Sequence, residues 1–406
     1  MASNADISAA QDRLPGDLME PMIIPEGSRH RAGLNDLAVD LAAQAAGFRR
    51  SLPAGVLSAL ARLVRAMNCY YSNLIEGHDT HPIDIERALN NDYSTDPRKR
   101  DLQLEARAHI AVQRWIDDGG LKKGRAATRE AVCEMHRRFC ELLPDDLLWV
   151  EDPETGTRER VIPGELRRKH VRVGAHVAVS PEALPMSLER FEEAYGHLGR
   201  NDGIVAAAAA HHRLLWIHPF VDGNGRVARL MSHAMLLDTL DTGGIWSVAR
   251  GLARNSGAYK SHLANCDLPR RNDLDGRGSL SEEALAAFTR FFLETCLDQV
   301  TFMEELMEPN RLRTRILLWA EEEIRLGQIP AKAGRVLEAV LYRGELPRGD
   351  VAPLLGSGGR HARRIVAELS RVGALTSDTS KAPLRLAFPA ALASRWMPGL
   401  FPERTP

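Results

Sequence analysis

Apolar residues recur along most of this chain at helical rather than strand spacing. Leu57, Leu60, Leu63, Val64, Met67, Tyr71, Leu74 and Ile75 follow one another at steps of one, three or four, which gathers them on one stripe of a helix. That stripe predicts a helix over residues 55–77, stopped at Gly77 because glycine takes the left-handed conformation cheaply. Similar runs predict helices over 34–48, 84–91, 102–118, 128–143, 187–198, 203–217, 225–240, 281–306 and 310–326. The pattern changes at VIPGELRRKHVRVGAHV, where a Pro-Gly turn signal precedes alternation at Val171, Val173 and Ala175. Residues 159–177 are expected to form a β-hairpin or flap. After about residue 330, AGRVLEAVLYRG, RGDVAPLLG, GRHARRIVAELSRVGAL and PLRLAFP give three short helices and a strand, the order of a winged helix-turn-helix.

The expected fold class is mainly α. It divides into an N-terminal helical region over 1–100, a helical core over 101–308, a linker helix over 309–330 and a winged-helix-like domain over 331–406. The break near residue 330 predicts that a chain lacking everything after it still folds. Lys+Arg number 53 against 54 Asp+Glu, so no global charge pulls the chain toward nucleic acid or an anionic membrane. Cys69, Cys133, Cys140, Cys266 and Cys296 show neither a CxxC pair nor zinc spacing, and read as reduced thiols. MASNADISAAQDRLPGDL lacks the apolar core of a signal peptide, and the longest apolar stretch, IVAAAAA, is far short of a membrane span. A cytoplasmic protein is expected.

The chemistry gathers in HHRLLWIHPFVDGNGRVARLMSHAMLL, residues 211–237. A helix runs to about Ile217, Pro219 discourages its continuation, and a second helix starts near Gly225. A glycine-rich turn feeding a helix N-terminus makes an anion site, because free N–H groups point outward and the dipole favours negative charge. Arg226 and Arg229 lie three apart on one face, two guanidinium forks suited to more than one phosphate. Asp222, just before the glycines, suits a Mg²⁺ ion bound with phosphate oxygens. His218, at the loop entrance, is placed to take a proton from a hydroxyl. There is no GxxxxGK[ST] and no strand before the glycines, which excludes a P-loop and a dinucleotide fingerprint. Two other readings stand beside this one. The first is a plain helix-loop-helix turn. The second is a zinc site from His211, His212, His218 and His233, against which count the divergence of adjacent histidines on a helix and the lack of HExxH.

HPFVDGNGRVAR resembles the Fic family signature HPFxxGNGRxxR at every fixed position. The resemblance extends over roughly residues 100–300 and takes in HHRLLWI, the flap segment PGELR and NSGAYKSHL. It implies a Fic helical core with a β-hairpin flap, and an enzyme that moves AMP from ATP to a Ser, Thr or Tyr hydroxyl of a protein, another chain or its own, releasing pyrophosphate. On that basis His218 would be the general base and Asp222 would hold Mg²⁺, with Mn²⁺ an alternative. Gly223, Asn224 and Gly225 would form the anion hole, with Asn224 on the α-phosphate. Arg226 would meet the phosphates, Arg229 the γ-phosphate, and Phe220 would anchor the loop. SNLIEG, residues 72–77, matches the motif [S/T]xxxE[G/N] that accompanies many Fic proteins. It implies an N-terminal inhibitory helix whose Glu76, with Ser72 on the same face, engages Arg229 and displaces the γ-phosphate. A carboxylate at a helix C-terminus is otherwise mildly unfavourable.

Weaker signals remain open. Gly164 and Arg167 lie in the flap, whose edge could align a target segment or be a plain surface hairpin. Asn255 and Tyr259 are candidates for the base pocket, with core packing of Tyr259 the alternative. Arg360, Arg363, Arg364 and Arg371 would line the recognition helix of the winged unit. Dimerisation or target recruitment is slightly preferred there over DNA. Two further functions stand behind self-inhibited adenylyl transfer. One is a bifunctional or reverse enzyme that removes AMP with Glu76, and the other a DNA-binding regulator with a nucleotide-sensing core.

Overall fold

A computed structural model describes residues 17–151 and 156–402. The polar start of the chain, on which the absence of a signal peptide was read, lies mostly outside the described residues, as do 152–155 and 403–406 at the end of the winged-helix span. Sixteen helices and six short strands are described. The N-terminal helices are α1 (Arg31–Ser51), α2 (Ala54–Ile75) and α3 (Pro82–Leu89). The central ones are α4 (Pro97–Asp117), α5 (Arg129–Glu141), α6 (Leu184–Tyr195), α7 (Arg200–Ile217), α8 (Asn224–Leu240), α9 (Val248–Arg254), α10 (Ser256–Cys266) and α11 (Glu282–Met307). The last group is α12 (Pro309–Arg325), α13 (Ala333–Arg343), α14 (Val351–Leu355), α15 (Gly359–Arg371) and α16 (Ala390–Trp396). The fold is mainly helical, as the periodicity predicts.

Helix α7 is the axis. Its segment from Gly203 to Leu214 is buried on every side, as expected of a helix with no polar face. Five consecutive alanines let neighbours approach closely. Helix α8 packs along α7, α11 covers both α7 and α1, and α2 lies against α4, α8 and α9. The site loop therefore joins the two innermost helices. Buried polar groups on α7 are matched individually: Arg213 donates to the Pro21 carbonyl (2.8 Å) and His212 meets Asp267 (3.0 Å).

The expected flap is not one hairpin. It consists of two: β1 (Trp149–Glu151) pairs with β2 (Arg158–Arg160), and β3 (Arg172–Val173) with β4 (His176–Val177), all antiparallel. Between them PGELRRKH runs without a strand partner. Its shape is held instead by the Arg167 side chain, described below, so residue alternation says little about it.

The C-terminal elements follow winged-helix order. After α13, Leu346 bridges Leu384; α14 and α15 follow, and β5 (Leu375–Thr376) pairs with β6 (Arg385–Leu386). Two expectations are revised here. Helix α12 is not a bare linker: it buries Leu312, Ile316 and Trp319, and Trp319 meets Trp396 edge-on with ring centroids 5.2 Å apart. Nor does the unit stand apart, since one continuous apolar core runs from Met19 to Leu400. The Tyr71 hydroxyl donates to the Leu400 carbonyl (2.9 Å), Arg250 donates to the Gly399 carbonyl (2.8 Å), and Phe401 packs edge-on to Tyr70 at 5.7 Å. Removing residues from 331 onward uncovers these tyrosines on α2, so the chain cannot be cut at the composition break without exposing core.

Trp396 is the keystone of that junction, fully buried but with an indole N–H that bonds nothing. Trp396→Ala is expected to cost about 3–5 kcal/mol through the cavity it leaves. Trp396→Phe should cost clearly less, because no hydrogen bond is lost. Denaturant unfolding of the two variants against the parent chain checks the order.

Candidate active site

Helix α7 ends at His218, which adopts the left-handed conformation (φ 51°, ψ 62°). For a non-glycine residue this costs roughly 1–2 kcal/mol. Two bonds hold it there: its N–H donates to the Leu214 carbonyl (3.0 Å), and its carbonyl accepts from Arg167 Nε (2.7 Å). Pro219 and Phe220 then reverse the chain, and Gly223, also left-handed (φ 81°), launches α8. Asn224 closes the turn on itself, its Oδ1 accepting from the Phe220 N–H (3.0 Å) and its Nδ2 donating to the Phe220 carbonyl (2.9 Å). This revises the role expected for Asn224. Its amide shapes the loop, and what it can offer an anion is its backbone N–H. The first N–H groups of a helix have no intrahelical partner, and Val227 is the first here to bond back, to the Gly223 carbonyl at 3.0 Å. Asn224, Gly225 and Arg226 thus present a free N–H row at the positive end of α8.

Phe220 is fully buried and stacks face to face on His136, with centroids 3.9 Å apart. The same imidazole accepts from the Gly164 N–H through Nδ1 (2.9 Å) and reaches the Asp222 backbone. Burial pushes the His136 pKa down to about 4, which keeps it a neutral acceptor. Gly164 sits at φ 75° against Arg137 and the Cys133 carbonyl, leaving no room for a side chain. Arg167 is buried and is the peg of the flap. Besides His218 it donates to the carbonyls of Lys169 (2.7 Å), Val179 and Ile217 (3.3 Å), while its N–H bonds the Pro219 carbonyl (3.0 Å). Gly164 and Arg167 therefore fasten flap to loop, and the exposed edge is formed by Val173 and Val177 instead.

His218 is mostly buried, and desolvation lowers its pKa to about 4, against a hydrogen bond to the Leu215 carbonyl that favours the charged form. The ring is neutral at pH 7, with one nitrogen fixed and the other able to accept a proton. Asp222 is exposed, and its carboxylate forms no ion pair or side-chain hydrogen bond with the described residues. One free carboxylate beside a row of N–H groups suits a divalent ion shared with phosphate oxygens.

The SNLIEG segment lies beside the loop. Helix α2 closes in a Schellman turn: Gly77 is left-handed (φ 87°), its N–H bonds the Leu74 carbonyl (3.1 Å), and the His78 N–H bonds the Asn73 carbonyl (2.9 Å). This brings Ser72 and Glu76 to Arg229. Arg229 Nε donates to Ser72 Oγ (2.8 Å), and Nη2 donates to the Ser72 carbonyl (3.2 Å) and to Glu76 Oε1. The Glu76 carboxylate rests on Gly225, where a Cβ would collide with it. Burial alone would raise the Glu76 pKa, but Arg229, with Arg226 and His78 behind it, holds it below the ordinary value.

Three residues of the site carry no signature in the sequence. His136 is one. The others are Glu105 on α4 and His78, just past the helix end. Arg226 Nη2 donates to Glu105 Oε2 (2.7 Å) and lies 3.1 Å from His78 Nδ1, while His78 Nδ1 is 2.9 Å from the same carboxylate oxygen. The Glu105 hydrogen bond raises the His78 pKa. The base-pocket candidates separate: Asn255 is exposed with its amide on the Gly251 carbonyl (3.1 Å), whereas Tyr259 is a core residue bonded to His211 (2.7 Å) behind Arg229. The histidines weighed as zinc ligands go to different partners, His211 to Tyr259 and Ser232, His212 to Asp267 and His233 to Asp117. Among the described residues no helix is long and apolar enough to cross a membrane.

Residues 126–236 match the family described as Fic/DOC. Curated relatives include the protein adenylyltransferases Fic of Drosophila virilis and of Culex quinquefasciatus. The first is 31% identical over 170 residues and the second 31% over 173, in each case across 41% of this chain. The match spans only about a third of those relatives, 32% and 31%. Among solved structures, Fic-1 (residues 134–508) from C. elegans superimposes with a TM-score of 0.51 at 20% identity, over 68% of this chain and 73% of that one, a likeness of fold. Residues 126–236, which carry the HPFVDGNGRVAR loop, are thus similar to the Fic/DOC family.

Proposed function

We propose that this chain is a self-inhibited protein adenylyltransferase that moves AMP from ATP to a Ser, Thr or Tyr hydroxyl of a protein. The observation that carries the reading is the composition of one small space. A neutral imidazole, a row of free N–H groups and two buried guanidiniums converge on it, and an intramolecular carboxylate already rests on the second glycine. The relatives bearing the adenylyltransferase name support it.

In this reading the target hydroxyl oxygen bonds to the α-phosphorus while the bond from that phosphorus to the bridging oxygen breaks. The hydroxyl proton passes to the free nitrogen of His218, and pyrophosphate leaves. The N–H groups of Asn224, Gly225 and Arg226 hold oxygens that gain charge, and Arg226 and Arg229 neutralise the outer phosphates. A Mg²⁺ ion, or Mn²⁺, would be held by Asp222 with phosphate oxygens and would supply charge neutralisation. While Ser72 and Glu76 occupy Arg229, the γ-phosphate lacks its partner. A second reading, removal of AMP from a modified target, draws support from Glu76 itself: it engages Arg229 through Oε1, which leaves Oε2 to orient a water. The winged-helix unit is assigned to target recruitment or homodimerisation. Arg360, Arg363 and Arg364, exposed on α15, are the residues a DNA-binding alternative would use.

Glu76→Gly should raise transfer from α-labelled ATP by roughly tenfold or more, equivalent to about 1.4 kcal/mol of transition-state stabilisation. Some stability should be lost as well, because the buried Arg229 loses its carboxylate partner and keeps Ser72. Adding Arg229→Ala should remove most of the gain. A Glu76→Gly chain no faster than its parent would remove self-inhibition from the reading.

His218→Ala in that released background should lower the rate by about 10²–10⁴-fold while ATP binding persists. Because the imidazole titrates near about 4, the base is competent above that pH and is lost as pH falls through it. The kcat/KM profile should therefore pass without a break through an unperturbed imidazole's pKa of about 6.5. An acid limb near neutrality that vanishes in no other variant would contradict a buried, neutral His218.

A further inference from the structure

The two arginines of the loop are anchored in different ways. Arg229 is held by Ser72 and Glu76, both on α2, so its partners leave together if α2 withdraws. Arg226 is held from below. Its side chain is only 7% exposed, and Glu105, 14% exposed, meets it from α4, a helix that packs against both α2 and α8. Its other neighbours are weak anchors. Phe139 offers a ring face 5.2 Å away, and His78 is a part-exposed group beyond the end of α2. No carbonyl accepts from the Arg226 side chain among the described residues, so removing Glu105 would leave a buried charge unpaired; Glu105 comes from α4 and so does not depend on α2.

We propose that Glu105 is the positioning residue for Arg226: it fixes the guanidinium through Nη2 and thereby aims the remaining N–H groups at the phosphate chain of a bound nucleotide. The proposal rests on the reading of Arg226 as a phosphate contact. The geometry favours a permanent support over a second brake. Glu105 engages one terminal nitrogen only, and no described residue is bonded to the other, Nη1; Nε is enclosed and bonds nothing. By contrast, the inhibitory pair takes both Nε and Nη2 of Arg229. A single carboxylate at one end of a planar fork orients it while leaving donors for an anion. His78, bonded to the same Glu105 oxygen, ties the end of the inhibitory helix to this support as well.

The test uses the full chain carrying Glu76→Gly, titrated calorimetrically with Mg-ATP and separately with adenosine. Glu105→Ala is expected to weaken ATP about tenfold or more and adenosine by less than about twofold, and Glu105→Gln to recover most of the loss, because its amide oxygen still accepts from Nη2. Should Glu105→Ala not fold, Glu105→Asp, which keeps the charge but draws it back by one methylene, should show the same selective loss. Equal weakening of ATP and adenosine would reduce Glu105 to a structural role, and unchanged ATP affinity would remove it altogether. Faster transfer by Glu105→Ala with Glu76 intact would make it a brake and overturn the proposal. If Glu76→Gly transfers nothing to any acceptor, the transferase reading fails, while the ratio of the two affinities still decides what Glu105 does.

Discussion

A guanidinium withdrawn from water needs oxygens beside it, carbonyls or carboxylates, to replace its hydration, and two such groups stand within one turn of the same helix. Much of the architecture around the loop follows from that constraint. Arg226 and Arg229 are both almost completely buried, and the free N–H row of α8 adds its own positive potential. Carboxylates from neighbouring helices supply oxygens of opposite charge, Glu105 from α4 and Glu76 from the end of α2. The contact between Glu76 and Arg229 is that electrostatic demand met from within. Glu76 sits at a helix end with a part-exposed side chain, whereas Glu105 is more deeply enclosed.

Much of this was legible in the sequence because it is local. The HPFVDGNGRVAR loop, the spacing of Ser72 and Glu76 and the stop at Gly77 each depend on residues within a few positions of one another, and helix periodicity placed the elements that carry them. Pairings between distant helices were not legible. Glu105 lies in an ordinary amphipathic run, and His136 in another; nothing in either stretch announces that one will meet Arg226 and the other Phe220. The flap was misread for a related reason. Its central segment is ordered by one side chain, Arg167, gathering carbonyls from three parts of the chain, and a side chain that replaces a ladder of strand pairs leaves no alternation behind. The composition break near residue 330 was real, yet it marked a change of surface. The ring contact of Tyr70 and the hydrogen bonds of Tyr71 and Arg250 with the last described residues cross it.

The two strained positions of the loop share a logic. His218 and Gly223 bracket the four residues 219–222 between the innermost helices, and each takes the left-handed region. Glycine does so freely; histidine does so because Leu214 and Arg167 hold its backbone. The cost places a neutral imidazole at the mouth of the anion site, where ordinary helix geometry would have carried it around the axis of α7. Local strain over-determined by surrounding bonds is a recognised property of functional positions.

The Asn224 clamp has a thermodynamic consequence. Both ends of its amide are satisfied by Phe220, and Phe220 is stacked on His136 beneath, so the loop is rigid in the absence of any ligand. Any ligand arriving there would meet a surface that has already lost its conformational freedom during folding. The entropy of association would then fall on the ligand and its solvent rather than on the protein. Selectivity would accordingly reside in what lines the walls of the cleft, since the floor is the same cast for every ligand.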